Sequence, residues 1–380
     1  MTDPTLTVRH LNRSTLDRQM LLKRQSLPVT EAVGQAMALQ AQESASPYLA
    51  MWNRVDGFDP EELDTAFSER NVVKATLMRV TLHVVRSVDY PIFHEAMSGT
   101  LRAARFYDRR FLDTGLTVAD ADSLIPKVVA FAAEARDKTE FEEMLRSEIG
   151  REIPEPGVWW ALRQVAPLHH APGDSTWSFG RSPSFVAAGV SKAIDHQDAI
   201  AELFVAYLRG FGPATRQDFG QFALLRQSEI EPAVNLISDR LRRFQAPDGR
   251  EVLDVDDGEI ADPDSPAPPR LLGMWDNVLL AHVNRTRVIS DEYRSNAIRR
   301  NGDVLPTVLV DGQVVGVWRA IEAGIEVTPF HRLTNQDWDG LEDEARRLLD
   351  LIGPRDPNVY SRYRRWWDRL PEGLKKRVLA

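Results

Sequence analysis

What most constrains this chain is the order of elements in residues 195–255. An apolar helix through Leu203 and Tyr207 stops at Gly210-Phe211-Gly212-Pro213, where glycine and proline interrupt helical hydrogen bonding, and Ala214-Thr215 caps the next helix. A third helix is predicted over 228–243, followed by a hairpin turning at Asp248-Gly249, a pair that tolerates the positive φ of a tight turn. Helix, turn, helix, helix, hairpin is the winged form of helix-turn-helix, whose third helix can enter a DNA major groove.

The order recurs upstream. Ser14-Thr15-Leu16-Asp17 reads as a capping box opening a helix through Leu16, Met20 and Leu21, and Pro28 starts a second helix facing inward with Val29, Val33, Ala36 and Met37. After Gln40-Ala41-Gln42 come a helix over 47–54, another capped by Asp59-Pro60-Glu61-Glu62, and β-type alternation over 74–86. The middle repeats this with helices from Thr117 and Thr139, a helix bearing Trp159-Trp160, a segment Leu168-His169-His170, and 177–180 as its wing. Beyond the proline-rich linker 263–269, apolar β runs occupy 304–310, 314–318 and 325–329 around an Asp311-Gly312 turn; a helix over 337–351 and a basic, tryptophan-containing tail follow.

The expected fold is therefore α+β, mainly α. Tandem winged-helix units at 1–90, 91–192 and 193–262 would form a C-shaped scaffold around a duplex, followed by a β-rich region with a helix at 270–380. The net charge of −9 argues against a protein that simply coats nucleic acid. Acid collects in 251–264, however, and arginines cluster at Arg102/Arg105/Arg109/Arg110, Arg240/Arg242/Arg243 and Arg362/Arg364/Arg365, so a local basic surface is available.

Several chemistries drop out. The absence of cysteine excludes disulfides, thiolate zinc sites and thiol nucleophiles. There is no GxxxxGK[ST] phosphate loop, HExxH zinc site or GxSxG elbow, and the adjacent His169 and His170 would point to opposite faces of a strand, so neither metal nor cofactor is expected. No signal-like start or long apolar run is present; the reading is a cytoplasmic protein with no membrane contact, monomeric.

The chemical candidate is Gln40-Ala41-Gln42. In an extended segment residues two apart share a face, so Leu39 and Ala41 would enter the core while both amides point into one cleft. Each amide offers an acceptor and two donors, enough to hold one water in a fixed orientation.

Around this motif the chain resembles the winged-helix DNA glycosylases of the AlkZ and YcaQ type. The resemblance rests on LNRSTLDRQMLL (11–22), ALQAQESASPYLAMWNRV (38–55), MRVTLHVV (78–85), YLRGFGPAT (207–215) and MWDNVLLAHVNRTRVI (274–289), which span most of the chain. It implies that Gln40 and Gln42 are the catalytic pair. YcaQ-type members carry an aspartate at the second position; this chain has glutamine, which stays neutral at any accessible pH and can position water and offer dipoles without acting as a base.

Such catalysis suffices if the leaving base already carries positive charge, as an N7- or N3-alkylated purine does. The implied reaction is hydrolysis at C1′ of bulky N7- or N3-alkylated purines, or of interstrand crosslinks formed by genotoxic natural products, in double-stranded DNA, leaving an abasic site without a Schiff base, in base excision repair or self-resistance. His83, Asp276, Asn277 and His282 are candidates to line the cleft, and Arg13, Arg79, Trp177, Arg216, Arg242, Arg243, Arg285 and Arg287 to contact DNA. The alternatives are a noncatalytic winged-helix transcription regulator and a drug-sequestering resistance protein.

Overall fold

The computed structural model describes residues 4–152, 157–189, 194–371 and 375–380. Its organising element is a five-stranded antiparallel sheet of β1 (Leu39–Gln40), β2 (Val72–Thr76), β3 (Leu82–Arg86), β4 (Leu168–Ala171) and β5 (Ser184–Ala187), ordered β1-β3-β2-β4-β5. The hairpin expected from the alternation over 74–86 is β2–β3. Lys74 lies opposite His170 at the β2–β4 seam, so the first and middle stretches of chain share one sheet.

Successive strand residues face opposite sides. Leu39, Val72 and Val84 enter one core, whereas Ala38, Val73, Ala75 and Val85 enter another. The first core joins Tyr48 and Leu49, on helix Ser46–Arg54, to Leu271 and Trp318 of the carboxy-terminal region. The second gathers Phe93 and Met97 of helix Tyr90–Phe106, Phe141 and Trp159 stacked at 3.9 Å, and Phe204 and Tyr207 of helix His196–Phe211.

The stretch after residue 195 has the winged-helix order. Helix His196–Phe211 ends at Gly212, Thr215 and Asp218 cap helix Arg216–Ala223 reciprocally, and helix Gln227–Leu236 precedes the hairpin of β6 (Leu241–Gln245) and β7 (Glu251–Val255). The helix predicted to reach residue 243 stops seven residues earlier. The turn around Gly249 (φ 80°) leaves β7 five residues long, and it takes 241–245 as its partner, from Leu241 opposite Val255 to Gln245 opposite Glu251.

Two other expectations change. The first helix runs Val8–Arg18 with Thr7 and His10 as its capping box; Ser14 and Thr15 lie inside it, buried, with Ser14 Oγ accepting from Ala261 N–H and Thr15 Oγ donating to Phe211 O. The Ser14/Asp17 spacing matches a capping box, but the helix already begins at Val8, so the hydroxyls sit in its interior, where no free helix-start N–H is left to cap, and tertiary partners use them instead. In the middle stretch the wing strands are β4 and β5; residues 177–180 form part of the irregular connection between them.

The carboxy-terminal sheet, ordered β12-β11-β10-β9-β8, comprises β8 (Arg270–Leu272), β9 (Thr307–Val310), β10 (Gln313–Ile321), β11 (Gly324–Pro329) and β12 (Arg377–Leu379). Asp311 and Gly312 both have positive φ, as a type I′ turn requires. Helix Asn335–Ile352 covers this sheet through Leu341, Ala345 and Leu348. Among the described residues no helix is long and apolar enough to cross a membrane.

Candidate functional site

Helix Val29–Gln35 ends just before Met37, whose φ of 68° turns the chain from helix into β1. That turn packs against Gly210, where an added Cβ would lie 3.2 Å from Met37 Cβ; Gln19 Nε2 braces it by donating to Gly210 O at 2.8 Å. β1 then delivers Gln40 opposite His83, and Ala41 N–H donates to Leu82 O.

Leu39 and Ala41 are buried, as the alternation requires. Their two amide neighbours differ. Gln40 is 5% exposed; its Oε1 accepts from Ala41 N–H at 3.1 Å and its Nε2 donates to Thr81 Oγ1 at 3.3 Å. Gln42 is exposed and lines a cleft of about 320 Å³ with Thr76, Thr81, Arg105, Arg163 and His170 among its other walls. Thr81 thus links the pair: it bonds Gln40 and shares the cleft with Gln42.

Behind Gln40 lies a closed polar circuit. Asn277 Nδ2 donates to Ala38 O at 2.8 Å while its Oδ1 accepts from Arg79 Nη2 at 2.8 Å. Arg79, itself at φ 54°, reaches His83 Nε2 at 3.2 Å and stacks over Phe222 at 4.7 Å. His83 Nδ1–H donates to Thr81 O at 3.1 Å, which assigns the proton to Nδ1 because Nε2 faces a guanidinium.

Burial, with Arg79 beside it, holds the His83 imidazole well below its usual range despite the bond to Thr81. Burial, with Arg285 nearby, brings Arg79 down to about 9. His83 is therefore neutral with both nitrogens engaged, and Asn277 is buried. These two candidates brace the Gln40 strand and do not line the cleft.

Other candidates lie elsewhere. Asp276 is sealed in a bidentate ion pair with Arg54, both contacts 2.8 Å. His282 Nε2–H donates to Phe211 O, and burial followed by the Arg287 charge pushes it down to about 3 against the pull of Asp218. Arg287 is buried and donates to Thr15 Oγ1 and Pro213 O. Arg13 is fully buried beneath Asp311 and the carbonyl of Ser265. Trp177 is buried against Tyr48, its ring nitrogen donating to Asp356. None of these five reaches the cleft, because each cation or polar tip is consumed by a partner within the fold.

Arg216 and Arg243 share Glu251 at 2.8 and 2.6 Å on the third hairpin, where Arg242 is exposed over Phe244. Arg285 is half-buried, and its Nε makes no hydrogen bond among the described residues. The structure also brings forward residues not singled out for the site: Thr81, Arg105, Arg163, Gln164 and His170 all line the Gln42 cleft. The one available signal was the arginine cluster containing Arg105; its proximity to Gln42 follows from the β2–β4 pairing, which is tertiary.

A family model described as DNA glycosylase AlkZ-like matches residues 33–351, a span that includes the glutamine pair, the bracing circuit and the cleft arginines. The chain belongs to the AlkZ-like DNA glycosylase family. It is accordingly an enzyme of the DNA glycosylase class. A relative from Streptomyces sahachiroi, an interstrand DNA cross-link repair glycosylase, is 27% identical over 370 residues, covering 89% of this chain and 94% of the relative. The solved structure of the Streptomyces sahachiroi DNA glycosylase AlkZ has the same fold, with a TM-score of 0.77 and 23% identity, covering 92% of this chain and 97% of that one. In this AlkZ-like chain the mixed helix and strand architecture is that of tandem winged-helix units, as the element order predicts.

Proposed function

We propose that this protein is a monofunctional glycosylase that removes bulky N7- or N3-alkylated purines, interstrand crosslinks among them, from double-stranded DNA. It would serve repair of, or self-resistance to, genotoxic natural products, acting as a cytoplasmic monomer. The observation that carries the reading is the placement of two neutral amides around Thr81 at the wall of a cleft bordered by Arg105 and Arg163. The name of the Streptomyces sahachiroi relative supports the crosslink as the lesion class.

Gln40 and Gln42 have the inventory for the task. Gln40 keeps one Nε2–H and one Oε1 lone pair beyond its present bonds, and Gln42, which makes no hydrogen bond among the described residues, has its amide to orient a water. The water oxygen bonds to C1′ as the C1′–N9 bond breaks. The bonding pair leaves with the purine and neutralises its positive charge, and the attacking water releases its proton to solvent. No side chain need act as base, since the departing group is already cationic. At about 320 Å³ the cleft lies at the small end of ligand pockets, so it suits a sugar-phosphate unit while a drug-sized adduct stays in the groove.

The test is a panel of duplexes carrying defined adducts, assayed for abasic sites. Wild type should form them, and Gln40→Ala/Gln42→Ala should bind the same duplexes without forming them. Equal excision by the two proteins would remove the pair from the mechanism.

A further inference from the structure

Two arginines in the Gln42 cleft have no role in the chemistry above. Arg105 lies near the end of helix Tyr90–Phe106 and Arg163 near the end of helix Gly157–Val165; both line the cleft with Gln164. We propose that Arg105 and Arg163 hold one backbone phosphate of the damaged strand, fixing the nucleotide whose C1′ faces the glutamine pair. The assignment rests on the glycosylase reading for the identity of the nucleotide, but the anion site stands on its own geometry.

Neither guanidinium has a carboxylate within ion-pair distance among the described residues, unlike their neighbours: Arg102 is paired with Asp122 and Arg110 with Asp108. Arg105 is positioned by neutral groups instead. Its Nη2 donates to Gln164 Oε1 at 2.6 Å, its Nη1 to Ala104 O at 3.2 Å, and its plane sits 4.6 Å from the Trp160 ring centroid. Gln164 is itself held by a bond from its Nε2 to Trp160 O. The Arg105 Nε is a buried donor with no partner among the described residues.

Neutral supports fix a guanidinium without cancelling its charge. Burial, then Arg110, lowers Arg105 against the pull of Asp108, the partner of Arg110, with Arg163 also contributing, and burial lowers Arg163 against the pull of Glu142, whose carboxylate is 3.2 Å from Lys138. Two half-buried like charges facing one cleft are unfavourable until an anion arrives, and a phosphodiester supplies acceptors to match the forks. His170 shares the cleft but is held neutral by burial and by the nearby Lys74 and Arg163, so the two arginines provide its formal charge.

The test uses the full chain and a fluorescent duplex carrying one tetrahydrofuran abasic analogue, so that binding is read without excision. In wild type, log K should fall with log salt, and a methylphosphonate at one phosphate flanking the analogue should reduce the slope by about 0.9, the loss of one phosphate contact. Arg105→Gln/Arg163→Gln should show the reduced slope already and be indifferent to that methylphosphonate. Arg105→Lys/Arg163→Lys should retain the wild-type slope. Thermal unfolding should show the Gln variant at least as stable as wild type, because it removes uncompensated charge; should the double variant fold poorly, each single Gln variant gives the same readout. A Gln variant that keeps the wild-type slope and methylphosphonate sensitivity overturns the site. Failure of wild type to excise any adduct, with the slope result intact, would overturn the glycosylase reading and leave the phosphate site standing.

Discussion

Truncating the two glutamines one at a time should separate chemistry from stability. Gln42 is exposed and makes no hydrogen bond among the described residues, so Gln42→Ala should change unfolding free energy by no more than about 0.5 kcal/mol. Gln40→Ala removes two hydrogen bonds, each worth about 1 kcal/mol, and some buried methylene surface worth about 0.8 kcal/mol. It orphans no buried backbone donor, because Ala41 N–H keeps its 2.8 Å bond to Leu82 O. A loss of about 2–3 kcal/mol follows. Both variants should slow excision by about 10²–10³-fold, the usual effect of deleting one preorganised dipole from a reacting centre. Urea unfolding followed by tryptophan fluorescence gives the first quantity, and single-turnover release of 7-methylguanine from a duplex the second. The reasoning fails if Gln42→Ala costs 2 kcal/mol or more, or if either variant releases base at the wild-type rate.

Three further outcomes are expected. Excision should be independent of pH from about 5.5 to 7.5, because neutral amides do not titrate, His83 is already neutral, and burial brings Lys74 and Arg79 down only to about 8 and about 9; an inflection near 6.5 would return a histidine to the mechanism. Stability should fall on acidification: burial lowers His169 to about 4 and His282 to about 3, so below the unfolded value near 6.5 the unfolded chain takes up protons first. Each contributes stability that is complete above about 6.5 and is reduced by about 1.4 kcal/mol at pH 5.5, and a melting temperature unchanged between pH 7.5 and 5.5 would contradict this. Asp276→Leu should cost about 3–5 kcal/mol by stranding the Arg54 charge, whereas Arg54→Met/Asp276→Leu should recover most of it; a double-variant loss equal to the sum of the Arg54→Met and Asp276→Leu losses in chemical denaturation would show that the pair is not coupled.

What the sequence disclosed followed from local rules. The Thr215 cap, the Asp311-Gly312 turn and the alternation in β2 and β3 need only neighbouring residues, and the structure has them where those rules put them. The third helix ends before its pattern predicts because residues 241–243 pair with β7 across a hairpin. Strand periodicity alone makes Gln40 and Gln42 equivalent. That argument fixes direction but not depth: β1 ends at Gln40, so one amide lies against Thr81 and the other emerges into the cleft.

Arginine posed the harder problem, because charge in a sequence carries no record of its partner. Arg13, Arg18, Arg24 and Arg54 each meet a carboxylate far away in sequence, so these cations contribute little field outside the fold. The same pairing consumes acid, and a net charge of −9 therefore says little about any one surface. What governs an encounter with a polyanion is the set of guanidiniums left without carboxylates. Arg105 and Arg163 are in that set and border the cleft, and Arg79 and Arg285 stand close behind the strand that carries Gln40. An acidic protein can therefore be electropositive at a DNA-facing cleft, provided its acids are spent on arginines elsewhere and a cleft arginine such as Arg105 is held by an amide, a carbonyl and an aromatic ring.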